Sequence, residues 1–182
     1  MIWFTSDLHI NHNKDFIYKE RGFSNIYEHN TAILKNWNSL ISYNDTVYIL
    51  GDLCLGNDEM EWNRIFYNLN GNKYFIIGNH DTDNKIKKYI NDYNMDCLGY
   101  SNIFKYNKKY RFYLSHYPTI ISNFDDNKKI PIINLCGHSH TKNKFIDIDK
   151  GFIYHVELDA HNIMPINIEQ IIKDIKNIRK EG

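Results

Sequence analysis

Five short apolar runs, each stopping at a cluster of polar and mostly ionisable residues, constrain this chain more than any other feature. Ile2 to Ser6 stops at Asp7-Leu8-His9, Thr46 to Leu50 at Gly51-Asp52, and Lys73 to Ile77 at Gly78-Asn79-His80-Asp81. Arg111 to Leu114 stops at Ser115-His116, and Ile130 to Cys136 stops at Gly137-His138-Ser139-His140. Runs that are continuous rather than alternating suit strands covered on both faces.

Helical patterns fill the intervals. Tyr27 to Ile41 sets Ile33, Leu34, Trp37, Leu40 and Ile41 on one stripe, and Asp58 to Leu69 repeats the spacing with Asp58 as N-cap. Asn84 to Tyr93 is a weaker pattern, and Asn167 to Arg179 is a clean amphipathic one built on isoleucines. Asn107-Lys108-Lys109 lies between two apolar stretches and predicts a hairpin turn with exposed lysines, not a nucleic-acid patch. Strand and helix in repeated alternation mean an α/β fold. Ligands of open α/β sheets bind beyond the carboxyl ends of the strands, so all five clusters are expected at one sheet edge. Glycine before Asp52, Asn79 and His138 is expected to let the backbone turn tightly there.

Length and composition set the bounds. The 182 residues fit one domain, 1–182, without a repeat or low-complexity linker; the polar stretch Asn123 to Lys129 reads as a surface loop. Lys plus Arg balances Asp plus Glu at 22 each, so no global field favours nucleic acid or membrane. Cys54, Cys97 and Cys136 are odd in number and lack CxxC spacing, which argues against a disulfide framework and a thiolate zinc site. Cys54 and Cys136 read as small buried residues. No apolar run approaches the ~20 residues of a membrane span, and the N-terminus has no signal-peptide pattern. The expectation is a soluble, cytoplasmic protein.

Pooled, the strand-end clusters supply two Asp, one Asn and four His as candidate ligands, with no thiolate. Mixed imidazole and carboxylate donors suit Mn, Fe, Zn or Ni better than Ca or Mg. Seven ligands exceed one tetrahedral site and suit two metals sharing a carboxylate.

These motifs, in this order, resemble the five ordered motifs of the calcineurin-like metallophosphoesterases: Asp7-x-His9, Gly51-Asp52, Gly78-Asn79-His80-Asp81, His116 and Gly137-His138-Ser139-His140. Phe4 to His9 followed by His12, Arg21-Gly-Phe23, Asn30 with Trp37-Asn38, His116-Tyr-Pro118 and Asp159-Ala-His-Asn162 before Pro165 are similar to a small bacterial and phage subgroup. The resemblance implies a four-layer α/β sandwich of two mixed β-sheets flanked by helices. It implies two divalent ions, Mn foremost and Fe, Ni or Zn as alternatives. Asp7, His9 and His140 would bind the first, Asn79, His116 and His138 the second, and Asp52 would bridge them. A hydroxide between the ions would attack phosphorus in line. His80 would serve as general acid or transition-state stabiliser, with Asp81 orienting it. Leu53-Cys54-Leu55 lacks the further Asp and Arg of the protein serine/threonine phosphatase branch, and the length leaves no room for caps.

Outside the motifs, Arg21 reads either as a contact to substrate phosphate or as a solvated charge beside a glycine turn. His12 reads as a pocket residue or a solvent-facing one. His29 and His155 read as structural; the subgroup resemblance would put His161 near the site, but a structural role is the favoured reading. The function expected is hydrolysis of a small phosphoester, diesters before monoesters, with cyclic nucleotides as candidates. The alternatives are a non-catalytic interaction module on the same scaffold and a nuclease. An exposed apolar stripe on the last helix would point to a homodimer.

Overall fold

The computed structural model of the chain describes residues 1–121, 132–146 and 153–181. The elements in order are β1 (Ile2–Thr5), α1 (Asp15–Tyr18), α2 (Ile26–Leu40), β2 (Thr46–Leu50), α3 (Glu59–Phe66), β3 (Asn72–Ile76) and α4 (Asp83–Asn91). They continue with β4 (Asp96–Cys97), β5 (Ser101–Tyr106), β6 (Tyr110–Ser115), β7 (Ile132–Cys136), β8 (Ile153–His155), a 3-10 turn (Leu158–His161), β9 (Ile166–Asn167) and α5 (Ile168–Glu181). The stretch Asn123 to Lys129 and the start of the run Ile130 to Cys136 lie outside the described residues.

Two mixed sheets form, flanked by helices. The first has the order β4-β3-β2-β1-β9, parallel except for β9, and the second has the order β5-β6-β7-β8. β5 and β6 form the expected hairpin, and β6, β7 and β8 run parallel. Three residues, Asn107 to Lys109, connect the paired Tyr106 and Tyr110, and Asn107 and Lys108 take left-handed φ.

Alternate residues of β1–β3 enter two cores, which is why their sequence runs are continuous. Trp3, Val47, Ile49 and Phe75 pack with Ile33 and Trp37 of α2, Ile65 and Phe66 of α3, and Tyr89 of α4. Phe4, Leu50 and Ile76 face the other way, onto Phe112 and Leu114 of β6, Ile133 and Leu135 of β7, and Tyr154 of β8. The caps follow the residues expected: Asp58 accepts from the amide of Glu61 at 3.2 Å, and Asn167 from that of Gln170 at 2.8 Å.

The isoleucine stripe of α5 is not an exposed face. Ile168, Ile171, Ile172 and Ile175 are buried in the core between the sheets. The sequence argument for a dimer through that stripe is thereby removed, because the apolar surface is consumed within its own chain.

Candidate metal centre

The polar clusters belong to two sheets rather than one. β1, β2 and β3 of the first sheet and β6 and β7 of the second end side by side, and their following loops meet above the core between the sheets. The loop after β1 runs along the loop after β2: the amides of Asp7, His9 and Ile10 donate to the carbonyls of Gly51, Asp52 and Leu53 at 3.0, 3.1 and 3.0 Å.

Sharp local backbone aims the side chains. Asp7, His9, Asp52, His138 and His140 all have positive φ, at 55°, 47°, 56°, 73° and 48°. A left-handed conformation costs a residue with a Cβ roughly 1–2 kcal/mol, and such strain concentrates at functional sites. Gly51, at φ 93°, makes the tight turn expected of it. Gly78 and Gly137 are needed for another reason: a Cβ on Gly78 would collide with Asp52 Oδ1, and one on Gly137 with Asp7 Oδ2 and Ser6 Oγ. They let backbone lie directly against two carboxylates.

Two groups of donor atoms result. In the first, His9 Nε2 lies 3.0 Å from His140 Nε2, and Asp7 Oδ1 lies 3.7 Å from each. In the second, Asn79 Oδ1 lies 2.8 Å from His116 Nε2 and 3.0 Å from His138 Nδ1, and those two nitrogens are 3.2 Å apart. Asp52 Oδ2 stands between the groups, 3.7 Å from His9 Nε2 and 3.5 Å from His116 Nε2.

Hydrogen bonds on the far side of the rings say what these atoms are. His116 Nδ1 lies 2.9 Å from the Leu50 carbonyl, which only accepts, so the neutral ring donates there and presents a lone pair at Nε2. That lone pair faces Asn79 Oδ1, another acceptor. His140 Nδ1 donates to Asp159 Oδ2 at 3.0 Å, so in the neutral ring its lone pair lies at Nε2, toward His9 and Asp7. Asp7 Oδ1 is buried without any hydrogen-bond partner. Burial acts to raise the Asp7 carboxyl, but His9 and the neighbouring imidazoles hold it below the usual carboxylate range. For His140, burial acts to lower the imidazole and Asp159 and Asp7 outweigh it, leaving it raised. Converging lone pairs around a buried carboxylate are the environment of a cation.

A cavity of about 390 Å³ opens over the donors, lined by His9, His12, Phe16, Ile17, Asp52, Asn79, His80, His138 and His140. His12 is thus a pocket residue, 3.0 Å from His9 through their Nδ1 atoms; burial and neighbouring imidazoles push it down to about 4. The His80 side chain is 39% exposed, with Nε2 3.9 Å from Asp52 Oδ2.

Two expected roles do not survive the geometry. Asp81 does not orient the His80 ring: Oδ2 accepts from the amides of Gly78 and Asp52 at 2.9 and 2.8 Å, and Oδ1 from the Leu53 amide and the Tyr89 hydroxyl at 3.2 and 3.1 Å. With its four acceptor positions filled, it ties the loop after β3 to the loop after β2. Arg21 does not reach substrate either, because its side chain is 1% exposed and paired with Asp159. Asp159 itself was given no role by the sequence. The two residues are 138 positions apart, and nothing in their local spacing announces the pair. His29, His155 and His161 are buried away from the cavity, and Cys54 is buried with its thiol pushed up to about 12 by that burial.

The calcineurin-like phosphoesterase family matches residues 1–177, and the chain belongs to that family. It is 33% identical over 182 residues to the uncharacterized protein MJ1445 of Methanocaldococcus jannaschii, covering 96% of this chain and 91% of that one. It is 26% identical over 205 residues to the Gene 66 protein of Mycobacterium phage D29, covering 96% of this chain and 97% of the phage protein. A crystal structure of the protein of unknown function AQ665 from Aquifex aeolicus superposes with a TM-score of 0.73 at 26% identity, covering 95% of this chain and 98% of that one.

Proposed function

We propose that this chain is a dinuclear metal-dependent phosphoesterase that prefers diesters to monoesters. In this reading Asp7, His9 and His140 would hold one divalent ion, Asn79, His116 and His138 would hold a second, and Asp52, whose Oδ2 stands between the two groups, would serve both. The observation that carries it is the pair of donor clusters meeting at that one carboxylate oxygen. The donor atoms lie 3.0 to 3.7 Å apart in the first cluster and 2.8 to 3.2 Å apart in the second, close enough for each set to share one ion. The mixture of imidazole, carboxylate and amide donors favours Mn, with Fe, Ni or Zn next. Such a pair of ions, when bound, neutralises phosphate charge and brings the ionisation of water near neutral pH.

The remaining work falls to the protein. His80 borders the cavity, and its backbone amide donates to Asp52 Oδ1 at 2.9 Å, so its position is tied to the shared carboxylate. From there its imidazole hands a proton to the leaving oxygen or donates to a phosphoryl oxygen. His12, its ring centroid 5.8 Å from that of His80, and Phe16 line the same cavity. No Lys or Arg lines this cavity among the described residues. A dianionic monoester would call for such fixed cations, whereas a diester carries one charge. A small diester, such as a cyclic nucleotide (2′,3′-cyclic ones included), fits that electrostatics.

We read residues 1–182 as one domain, and the three unpaired cysteines support residence in the cytoplasm. No described helix is long and apolar enough to cross a membrane. The deciding experiment is a panel of p-nitrophenyl phosphate, bis-p-nitrophenyl phosphate, cyclic nucleotides and linear dinucleotides, each with Mn, Fe, Ni, Zn and Mg. Mn-dependent diester cleavage exceeding monoester cleavage is expected. Faster monoester cleavage reverses the preference. Two bound ions with no hydrolysis of any ester replaces the enzyme with a binding module, and salt-sensitive cleavage of DNA or RNA replaces it with a nuclease.

A further inference from the structure

We infer that Arg21 is a positioning residue for the first donor group alone, its buried guanidinium holding both chain segments that supply Asp7, His9 and His140. The inference rests on the two-ion reading above and adds an asymmetry to it.

All five guanidinium N–H groups have acceptors. Nε donates to Asp159 Oδ1 at 3.0 Å and Nη2 to Asp159 Oδ2 at 2.7 Å, a bidentate pair. Nη2 also donates to the Asp7 carbonyl at 2.8 Å, and Nη1 to the Leu8 carbonyl at 3.4 Å. Nη1 donates as well to His29 Nε2 at 2.9 Å. A guanidinium cannot accept, so His29 is neutral with its proton on Nδ1, directed at Asn30 Oδ1 3.2 Å away. Burial first, and Arg21 beside it, push His29 down to about 3, in keeping with that state. Asn30 in turn accepts from the amide of Asn11 at 3.2 Å and donates to Glu61 at 2.8 Å. The guanidinium is therefore anchored on α2 and α3 behind the site.

Its two outward connections reach both limbs of the first donor group. The carbonyls of Asp7 and Leu8 lie in the bent segment where Asp7 and His9 take φ of 55° and 47°. Asp159 Oδ2 passes from Arg21 to His140 Nδ1, which sets the tautomer that frees His140 Nε2. No described bond of Arg21 touches Asn79, His116 or His138. Lysine cannot stand in, since an ammonium has three donors where five acceptors wait.

The test titrates the metal-free chain with Mn²⁺ alone, by calorimetry and by electron paramagnetic resonance, in wild type, Arg21→Lys and Asp159→Asn. Near-ultraviolet circular dichroism establishes that each is folded. Wild type is expected to take two ions per chain. Each variant is expected to keep one at its wild-type affinity and to weaken the other by ~10–100-fold. The spin-coupled signal should give way to that of isolated Mn²⁺ at one equivalent. A folded variant that binds both ions as wild type does, or weakens both equally, overturns the inference. Asp159→Asn, nearly isosteric, decides the matter if Arg21→Lys does not fold. Because the readout is binding, a wild type that takes two ions and hydrolyses nothing defeats the phosphoesterase reading while leaving this one standing. A wild type that takes fewer than two overturns both.

Discussion

The two halves of the metal centre carry similar donors and are built by different means. The first, Asp7, His9 and His140, depends on a buried ion pair between residues 138 positions apart, with Arg21 on one side and Asp159 on the other. The second, Asn79, His116 and His138, depends on backbone groups, on one saturated carboxylate and on Asp7, whose Oδ2 accepts from the His138 amide at 2.9 Å. His116 is set by the Leu50 carbonyl, and Asp81 stitches Gly78, Asp52 and Leu53 together through their amides. Lys85 adds to the stitching by donating to the carbonyls of Cys54 and His80, each at 2.8 Å. A buried ion pair organises one half, and backbone amides and carbonyls of neighbouring loops organise the other. The first is thus exposed to loss of a single charge, and the second to loss of loop geometry.

Breaking both halves together should have the largest effect. Asp52 Oδ2 is the atom they share, so Asp52→Ala should release both ions, weakening each by more than ~100-fold and reducing turnover to background. Metal analysis after gel filtration would show this, and retention of two ions would remove Asp52 from the bridge. Next comes His80→Ala, which leaves both halves intact. It should keep two ions and lose ~10²–10⁴-fold in kcat, and depletion of metal in that variant would take His80 out of the chemistry.

The ion pair can be broken by itself in the metal-free chain. Burial works against the Asp159 carboxylate, yet His140 and Arg21 hold it well below the usual range, so the folded state favours the charged form. A depressed carboxyl stabilises the fold above its unfolded pKa of ~3.9, and that contribution fades as pH falls through the lower folded value. Asp159→Asn should therefore cost up to ~3–5 kcal/mol near pH 7 by leaving Arg21 unpaired. The gap in Tm between wild type and variant should narrow steadily below pH ~4, and a gap constant from pH 7 to 3 would contradict the pair. The smallest effect tests the amide-built half. Tyr89→Phe removes the hydroxyl 3.1 Å from Asp81 Oδ1 and should cost about 1 kcal/mol, measured by urea denaturation, with both ions still bound.

Much of the frame was legible because it is local. β1, β2, β3, β6 and β7 follow the five apolar runs, and α2–α5 follow the four periodic stripes, within a residue or two at most ends. The short pieces β4, β8 and β9 were not anticipated: two or three residues form a strand only because a neighbour's edge offers hydrogen bonds. The glycines were marked at the right places with a partly different reason. That Gly78 and Gly137 make room for carboxylates of other segments is a fact about approach between segments, which φ preference cannot reveal.

The order of the motifs by itself determined the family and the residues that gather at the strand ends. Strands joined through helices run parallel in an α/β chain, so a polar residue just past such a strand has one edge to occupy. What only the tertiary structure decided is which neighbours those residues acquire there. Arg21 became a buried support instead of a phosphate contact, Asp81 a loop tie instead of a partner for His80, and Asp159 a holder of His140. The α5 stripe became core instead of interface. Each of these turns on contacts between segments far apart in the chain. Hydrogen-bond saturation and burial are properties of a packed neighbourhood, which the composition and spacing of one segment do not contain.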